Sequence, residues 1–161
     1  MLASLMLASR IALQGIPGVH PLGLFIASFT LAYRWRALIP LYVYVLLEGI
    51  FAGFSPWWVP YLYVWTPLWG MFMLAGLLKA PRAFKLPLYM LLCGLHGLLF
   101  GVLYAPAQAL MFGLSFKATV AWVIAGLPFD ITHGISNFFM GLLIIPLSEL
   151  LKRLDGQRAK P

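Results

Sequence analysis

The chain is an almost continuous run of apolar sequence, broken only by short turns, and this feature excludes most folds open to a protein of its size. The apolar segments cover about 1–15, 19–33, 37–53, 59–78, 86–105, 107–127 and 128–151. Since 63% of the residues are hydrophobic and only 9% are charged, the chain is not an ordinary soluble domain. No stretch alternates like the strands of an outer-membrane barrel. The sequence therefore predicts an all-α integral membrane protein.

Basic residues are concentrated in three of the connections between these segments. Residues 34–36, 79–85 and 152–161 hold nine of the eleven Lys and Arg residues, whereas the turns at 15–21, 54–61 and 104–108 hold none. Because loops rich in Lys and Arg stay in the cytoplasm, all three basic segments belong on that side. The alternation predicts a single domain over residues 1–161, with six crossings and both termini in the cytoplasm.

The segment 107–127 is predicted to be an outer connection instead of a seventh crossing. A seventh crossing would carry the basic tail outside and would place Lys117 near the bilayer centre. We expect this segment to be entered after Pro106 and left at Pro128, and to act as a lid on a compact six-helix bundle. The six crossings are then about 1–15, 19–33, 37–53, 59–78, 86–105 and 128–151.

Several functional classes are disfavoured by the same features. The net charge of +7 is explained by topology, so a nucleic-acid partner is not expected. No Walker motif is present, so any ATP hydrolysis belongs to a partner. The single cysteine, Cys93, rules out a cysteine metal site within one chain, and we expect no catalytic residue, metal or cofactor.

A few polar residues interrupt the predicted spans, where such groups are costly and usually face the protein interior or a wet cavity. Asp130, His133 and Asn137 follow one another at spacings of three and four, which places them on one helical face. Asp130 either caps the last helix or contacts a ligand, while His133 and Asn137 either join helices or bind a ligand. The other candidates for substrate contact are Arg10, Glu48 and His96, and an Arg10–Glu48 ion pair is an equally good interpretation.

Aromatic residues cluster between the third and fourth apolar segments. Trp57, Trp58 and Tyr61 lie in this loop, together with Tyr63 and Trp65. An interfacial belt explains such a cluster, but on a loop facing Asp130 it would also form a stacking wall for a flat ligand. Trp122, on the predicted lid, would add to that wall.

Small residues recur every four positions in the first apolar segment, at Ser4, Ala8 and Ala12. A stripe of small side chains lets another helix approach closely. It serves either packing within the bundle or docking of a separate subunit.

Taken together, the six-span layout, the Ala8-x-x-x-Ala12 stripe and the passage AGLPFDITHGISNFF at 125–139, leading into LLIIPLSELLKRL at 142–154, resemble the substrate-binding S component of energy-coupling factor (ECF) transporters. The resemblance implies high-affinity capture of a vitamin or related micronutrient at the cell membrane. It also implies a transmembrane coupling subunit and two cytoplasmic ATPases as partners, with Ala8 and Ala12 contacting the coupling subunit. Asp130, His133 and Asn137 match the family's Asp-x-x-His-x-x-x-Asn passage. Two features depart from the family's pattern: the first helix is expected to start at Met1 with almost no cytoplasmic lead, and Arg10 interrupts its apolar run.

Two other classes compete with this interpretation. His133-x-x-x-Asn137 with His96 upstream is similar to part of the pattern of CAAX-type intramembrane proteases, but their paired-glutamate motif is missing, since Glu48 is followed by glycine. Tryptophan-rich sensory proteins have a similar length, but their five spans would separate the termini across the bilayer.

Overall fold

The computed structural model describes residues 1–16 and 18–158, which are helical almost throughout. The α-helices are α1 (Leu2–Leu13), α2 (Leu22–Tyr33), α3 (Leu38–Ala52), α4 (Thr66–Ala75), α5 (Arg82–Leu98), α6 (Phe100–Phe112), α7 (Phe116–Met140) and α8 (Ile144–Arg158). Short 3₁₀ segments cover Arg34–Ala37, Pro56–Leu62 and Gly141–Leu143. The all-α architecture predicted from the sequence is confirmed.

Three helical stretches within the described residues are long and apolar enough to cross a membrane. They are Leu22–Ala52, Arg82–Phe112 and Phe116–Gly156. The remaining apolar helices are shorter, and α1 has only 12 residues, about 18 Å at 1.5 Å per residue. The protein is therefore a helical membrane protein by length and composition, while the six-crossing arrangement stays a prediction.

The fourth predicted span, 59–78, is replaced by two short elements. Its first residues belong to the 3₁₀ segment Pro56–Leu62, and α4 contributes only ten helical residues. Proline cannot donate a backbone hydrogen bond, so Pro56, Pro60 and Pro67 favour a tight turn followed by a new helix start.

Helix α2 forms the centre of the bundle. Every residue from Leu22 to Thr30 is buried, as expected of a helix that is apolar all round and has neighbours on every side. Phe29 and Phe72 of α4 are among the largest fully buried side chains. This central position places the first turn of α2, at Leu22 and Gly23, against the cavity described below.

Helices α5 to α8 form an antiparallel hairpin whose turn lies at Gly113–Ser115, which corrects the predicted lid. Pro106 and Pro128 lie inside α6 and α7, so residues 107–127 are the end of one helix and the start of the next. Gly113 adopts a left-handed conformation (φ 62°) and the Ser115 hydroxyl accepts a hydrogen bond from the Ala118 N–H (3.2 Å). A left-handed glycine followed by a serine cap ends one helix and starts the next more effectively than proline does. Proline is tolerated inside membrane helices.

The three basic segments meet at one end of the bundle. Arg34, Arg82, Lys85 and Lys152 line a common cleft there. The side chains of Met1 and Asp155 line a neighbouring small cavity, so both ends of the described chain lie on this side. The helices therefore run alternately up and down between this end and an opposite end that is rich in aromatic residues.

Candidate functional site

An enclosed cavity of about 220 Å³ lies near the aromatic end, between α1, α2, α3, α5 and α7. Its lining is both aromatic and polar, and consists of Arg10, His20, Leu22, Gly23, Tyr44, Tyr61, Trp65, Gly97, Phe100, His133 and Asn137. Ordinary ligand pockets occupy roughly 300–1,000 Å³. A cavity below that range fits a small molecule.

Arg10 and Glu48 form an ion pair at this cavity, with Nη2 and Oε1 2.8 Å apart. The Glu48 side chain is fully buried, while the Arg10 side chain keeps 27% of its surface exposed. Of the two, Arg10 alone lines the cavity. The glutamate therefore neutralises the arginine from outside the cavity, while Arg10 itself lines it.

The polar residues predicted on one face of α7 have two different roles: two line the cavity, and one caps a neighbouring helix. His133 and Asn137 line the cavity, but Asp130 points to α6. Both carboxylate oxygens of Asp130 lie 3.1 Å from the Gly101 N–H, which donates to them. This N–H belongs to the first turn of α6, where backbone donors have no partner within the helix. Asp130 is thus a cap, as the sequence allowed, but of α6 and not of its own helix.

Asn137 has no hydrogen-bond partner for its side chain among the described residues. The residue is 7% exposed. A Cβ atom on Gly23 would come within 3.2 Å of its Oδ1 atom, so the glycine leaves that oxygen open to the cavity. The carboxamide reaches the open space of the cavity and forms no interhelical hydrogen bond within the described residues. This geometry favours ligand contact over the alternative role of joining helices.

Three rings are stacked along one wall of the cavity. His133 lies between His20 (centroids 5.0 Å apart, planes at 26°) and Phe100 (5.7 Å, 29°). The Nδ1 atom of His133 is 3.0 Å from the Phe129 carbonyl, which orients the ring.

His20 precedes the apolar stretch Leu22–Ala52 and contributes a polar atom without a partner. Its Nδ1 atom is buried and forms no hydrogen bond within the described part of the chain. Burial lowers the pKa of the His20 imidazole, and the nearby His133 and Arg10 lower this pKa further. A neutral imidazole offers one donor and one acceptor to a ligand.

Further rings of the lining come from the predicted aromatic cluster, but not from all of it, and the Trp65 ring packs on Phe100 of the stack (5.5 Å). Tyr61 and Trp65 line the cavity with their rings 5.5 Å apart, edge to face. Trp65 is 6% exposed, and its indole N–H has no acceptor among the described residues. Trp57 and Trp58 lie outside: the Trp57 carbonyl accepts from the Tyr104 hydroxyl (2.6 Å), and the Trp58 N–H donates to the Val45 carbonyl (2.7 Å). These two tryptophans hold the wall in place.

Two further candidates from the sequence do not reach the cavity. His96 is buried, with its Nε2 atom 2.8 Å from the Val64 carbonyl, and it packs beside the ring of Trp65 (5.7 Å). Trp122 stacks on Tyr104 (5.9 Å, 19°) in a groove on the far side of Phe100 and His133. His96 therefore supports the site without contacting a ligand, and Trp122 belongs to the outer surface.

Some lining residues carried no signal that separates them from core or turn residues in the sequence. Tyr44 and Phe100 resemble ordinary core aromatics, and Gly23 and Gly97 resemble helix-packing glycines. His20 follows a proline and glycine turn. The only signal for a ligand-binding role is that an imidazole lies next to the start of an apolar segment.

The small-residue stripe of α1 lies on the outer surface of the bundle. Ser4, Ala8 and Ala12 are all exposed, whereas Ala3 and Met6 of the same helix are buried in the core. The stripe therefore does not pack within the chain.

Comparison with known proteins finds no match to a family model, to a curated protein or to a solved structure.

Proposed function

We propose that the protein is the substrate-capturing membrane subunit of an ECF-type uptake transporter, which takes up a vitamin or related micronutrient. The observation that carries the binding role is the cavity, whose lining holds three buried polar groups without a hydrogen-bond partner among the described residues. These are the Tyr44 hydroxyl, the Trp65 N–H and the His20 Nδ1 atom. Buried polar groups are normally hydrogen-bonded, so unpartnered ones around a cavity indicate a polar occupant.

The ligand is a small, flat molecule with both hydrogen-bond donors and acceptors. Flatness follows from a lining rich in rings, which consists of the His20–His133–Phe100 stack with Trp65 and Tyr61 beside it. The Arg10 guanidinium supplies donors for a carbonyl or carboxylate. A heteroaromatic compound combines these properties.

The proposal includes six crossings with the basic segments in the cytoplasm, as the alternation of basic and non-basic connections in the sequence predicts. The cleft lined by Arg34, Arg82 and Lys152 marks the cytoplasmic side by the positive-inside rule. The binding cavity then lies towards the outside of a prokaryotic cell membrane, where a substrate arrives.

Transport requires a coupling subunit and ATPases, and α1 offers a surface for the first of these. Ser4, Ala8 and Ala12 form a stripe of small exposed residues, which permits close approach of a partner helix. ATP hydrolysis is assigned to the partner ATPases, so this chain is not an enzyme in the proposal.

A metal-dependent protease is the weaker alternative. Such an enzyme needs several His, Asp or Glu side chains converging on one ion, and the described residues contain no group of three placed to do so. Glu48 is paired with Arg10, and His96 is bonded to the Val64 carbonyl. A tryptophan-rich sensory role would also require ligand binding, and it is separated from the transporter proposal by the coupling test below.

Asn137→Leu is expected to weaken ligand binding by about 1–3 kcal/mol, roughly 5- to 150-fold, because it removes a donor and an acceptor at nearly constant volume. The molecule that copurifies with the protein is identified by mass spectrometry after denaturation, and its affinity is measured by calorimetry. Asp130→Asn is the control, since it keeps an acceptor for the Gly101 N–H and lies outside the cavity. Unchanged affinity in a folded Asn137→Leu protein would show that the carboxamide does not contact the ligand.

Ala8→Trp is expected to lower ATP-dependent uptake by roughly 5- to 30-fold in vesicles that also hold the coupling subunit and ATPases, while ligand binding persists. The reason is steric, because loss of close helix approach removes about 1–2 kcal/mol of association energy. Ala125→Trp is the matched control: it places the same side chain at an exposed alanine of α7. Equal loss of uptake in both variants would contradict a docking role for the stripe.

A further inference from the structure

A second cleft, of about 490 Å³, lies at the basic end of the bundle, between the ends of α2 and α4 and the starts of α5 and α8. It is separate from the substrate cavity and shares no lining residue with it. Arg34, Arg82, Lys85 and Lys152 line it, with Glu149 as the single acidic residue.

The positive charge in this cleft is largely unpaired. Glu149 lies 3.4 Å from Arg82, but both side chains are well exposed (44% and 64%), so that pair is weak. Lys85 and Lys152 have no carboxylate partner among the described residues. An anion entering the cleft would therefore meet cations that nothing in the protein neutralises.

Arg34 is held in place by an unusual backbone conformation. Its φ of 57° lies in the left-handed region, which costs a non-glycine residue free energy and persists only where the surroundings enforce it. The Arg34 carbonyl accepts from the Trp69 N–H (3.4 Å), and its guanidinium donates to the Met73 carbonyl (3.1 Å). A Cβ atom on Gly76 would lie 2.6 Å from the guanidinium, so the glycine makes room for it. The backbone conformation and these contacts therefore hold the Arg34 guanidinium at the cleft.

Tyr89 supplies the second, independent observation. The residue is only 4% exposed, and its ring packs on Phe72 (5.4 Å), yet it lines the cleft. Its hydroxyl forms no hydrogen bond within the described residues. The ring is thus fixed by packing while the hydroxyl opens to the cleft, where it can donate to a ligand with oxygen acceptors that the cations also attract.

The floor of the cleft is apolar, since Leu31, Leu77 and Ile145 share it with the charged residues. A free inorganic anion would gain nothing from these side chains, whereas a lipid would bury part of its acyl chains on them. Basic pockets between membrane helices on the cytoplasmic side suit anionic lipid headgroups. We propose that this cleft binds the phosphate of an anionic phospholipid of the inner leaflet, with Arg34, Lys85 and Lys152 around the phosphate and Tyr89 as a donor to it. The site does not depend on the transporter proposal.

The test uses the purified full chain and native mass spectrometry, with an equal mixture of phosphatidylglycerol and phosphatidylcholine. The wild-type protein should retain phosphatidylglycerol selectively. The double variant Lys85→Gln/Lys152→Gln should bind it about 10- to 30-fold more weakly, since each basic residue near a lipid surface contributes comparably. Tyr89→Phe should weaken it less, through loss of one hydrogen bond.

The matched control is Arg36→Gln/Lys117→Gln, which removes the same charge from two exposed residues outside the cleft. It should leave phosphatidylglycerol binding unchanged. An equal loss in both double variants would overturn the site in favour of general surface charge. Displacement of the lipid by millimolar inorganic phosphate would overturn the lipid assignment in favour of free phosphate.

Discussion

Arg10→Met is expected to destabilise the folded protein by about 3–5 kcal/mol, because it leaves the Glu48 carboxylate buried without a counter-ion. Glu48 is fully buried and lies 2.8 Å from Arg10, its only ion-pair partner in the described part of the chain. Methionine has a similar length to the arginine stem, so the loss reports the charge more than the packing. The measurement is thermal or denaturant unfolding of the purified protein in detergent.

Glu48→Gln provides the matched comparison. Arg10 keeps 27% of its side chain exposed, so it still reaches solvent when the glutamate is neutral, and the cost is expected to be smaller. The double variant Arg10→Met/Glu48→Gln should recover most of the stability lost by Arg10→Met alone. If the two single variants were equally stable, or if the double variant were the least stable, the pair would not be a buried charge balanced by its neighbour.

The sequence predicted one wall of the candidate site because that wall is local. His133 and Asn137 lie four residues apart on one helix, and helical periodicity alone places them together. For Arg10 and Glu48 the sequence leaves an ion pair and ligand contact equally open, since an isolated acid and an isolated base in apolar segments satisfy either role, and the structure shows the pair. Tyr61 was included because aromatic residues cluster in the sequence around it.

The rest of the lining could not be predicted, because it arises only from packing. Tyr44 and Phe100 are ordinary apolar-segment residues until α3 and α6 are placed beside α7. The same limit applies to Trp57 and Trp58: their clustering in the sequence predicts a stacking surface, but neither lines the cavity, and the Trp58 N–H donates to the Val45 carbonyl instead.

The predicted helix boundaries at Pro106 and Pro128 are wrong, because they rest on proline as a helix breaker. Pro106 and Pro128 lie inside helices, and the real break occurs at Gly113, where a left-handed residue ends α6. A proline removes one backbone hydrogen bond but keeps φ within the helical range. The positive φ of Gly113 takes the backbone out of the right-handed helix, so the glycine ends α6. Residues 107–127 are therefore parts of α6 and α7 and do not form a lid.

Gly97→Leu is expected to destabilise the protein by about 3 kcal/mol or more, at the upper end of overpacking effects. A Cβ atom at position 97 would lie 2.8 Å from the Gly134 nitrogen and from the carbonyl carbon and oxygen of His133. These are backbone atoms of α7, which cannot rotate aside as a side chain can. Helices α5 and α7 would have to separate, and thermal unfolding should register the loss.

Gly126→Leu is the control for this substitution, because a Cβ atom there meets nothing within 4 Å. Position 126 lies inside α7, where leucine is a better helix former than glycine by up to about 1 kcal/mol, so this variant should be unchanged or more stable. Gly97→Ala should already destabilise, since the overlap begins at Cβ. Gly97 also lines the cavity beside His133, so separating the helices would move one wall of the binding site. Ligand affinity should therefore fall together with stability in both Gly97 variants. If Gly97→Leu were as stable as Gly126→Leu, helices α5 and α7 would be free to move apart. The cavity would then have no fixed wall at Gly97.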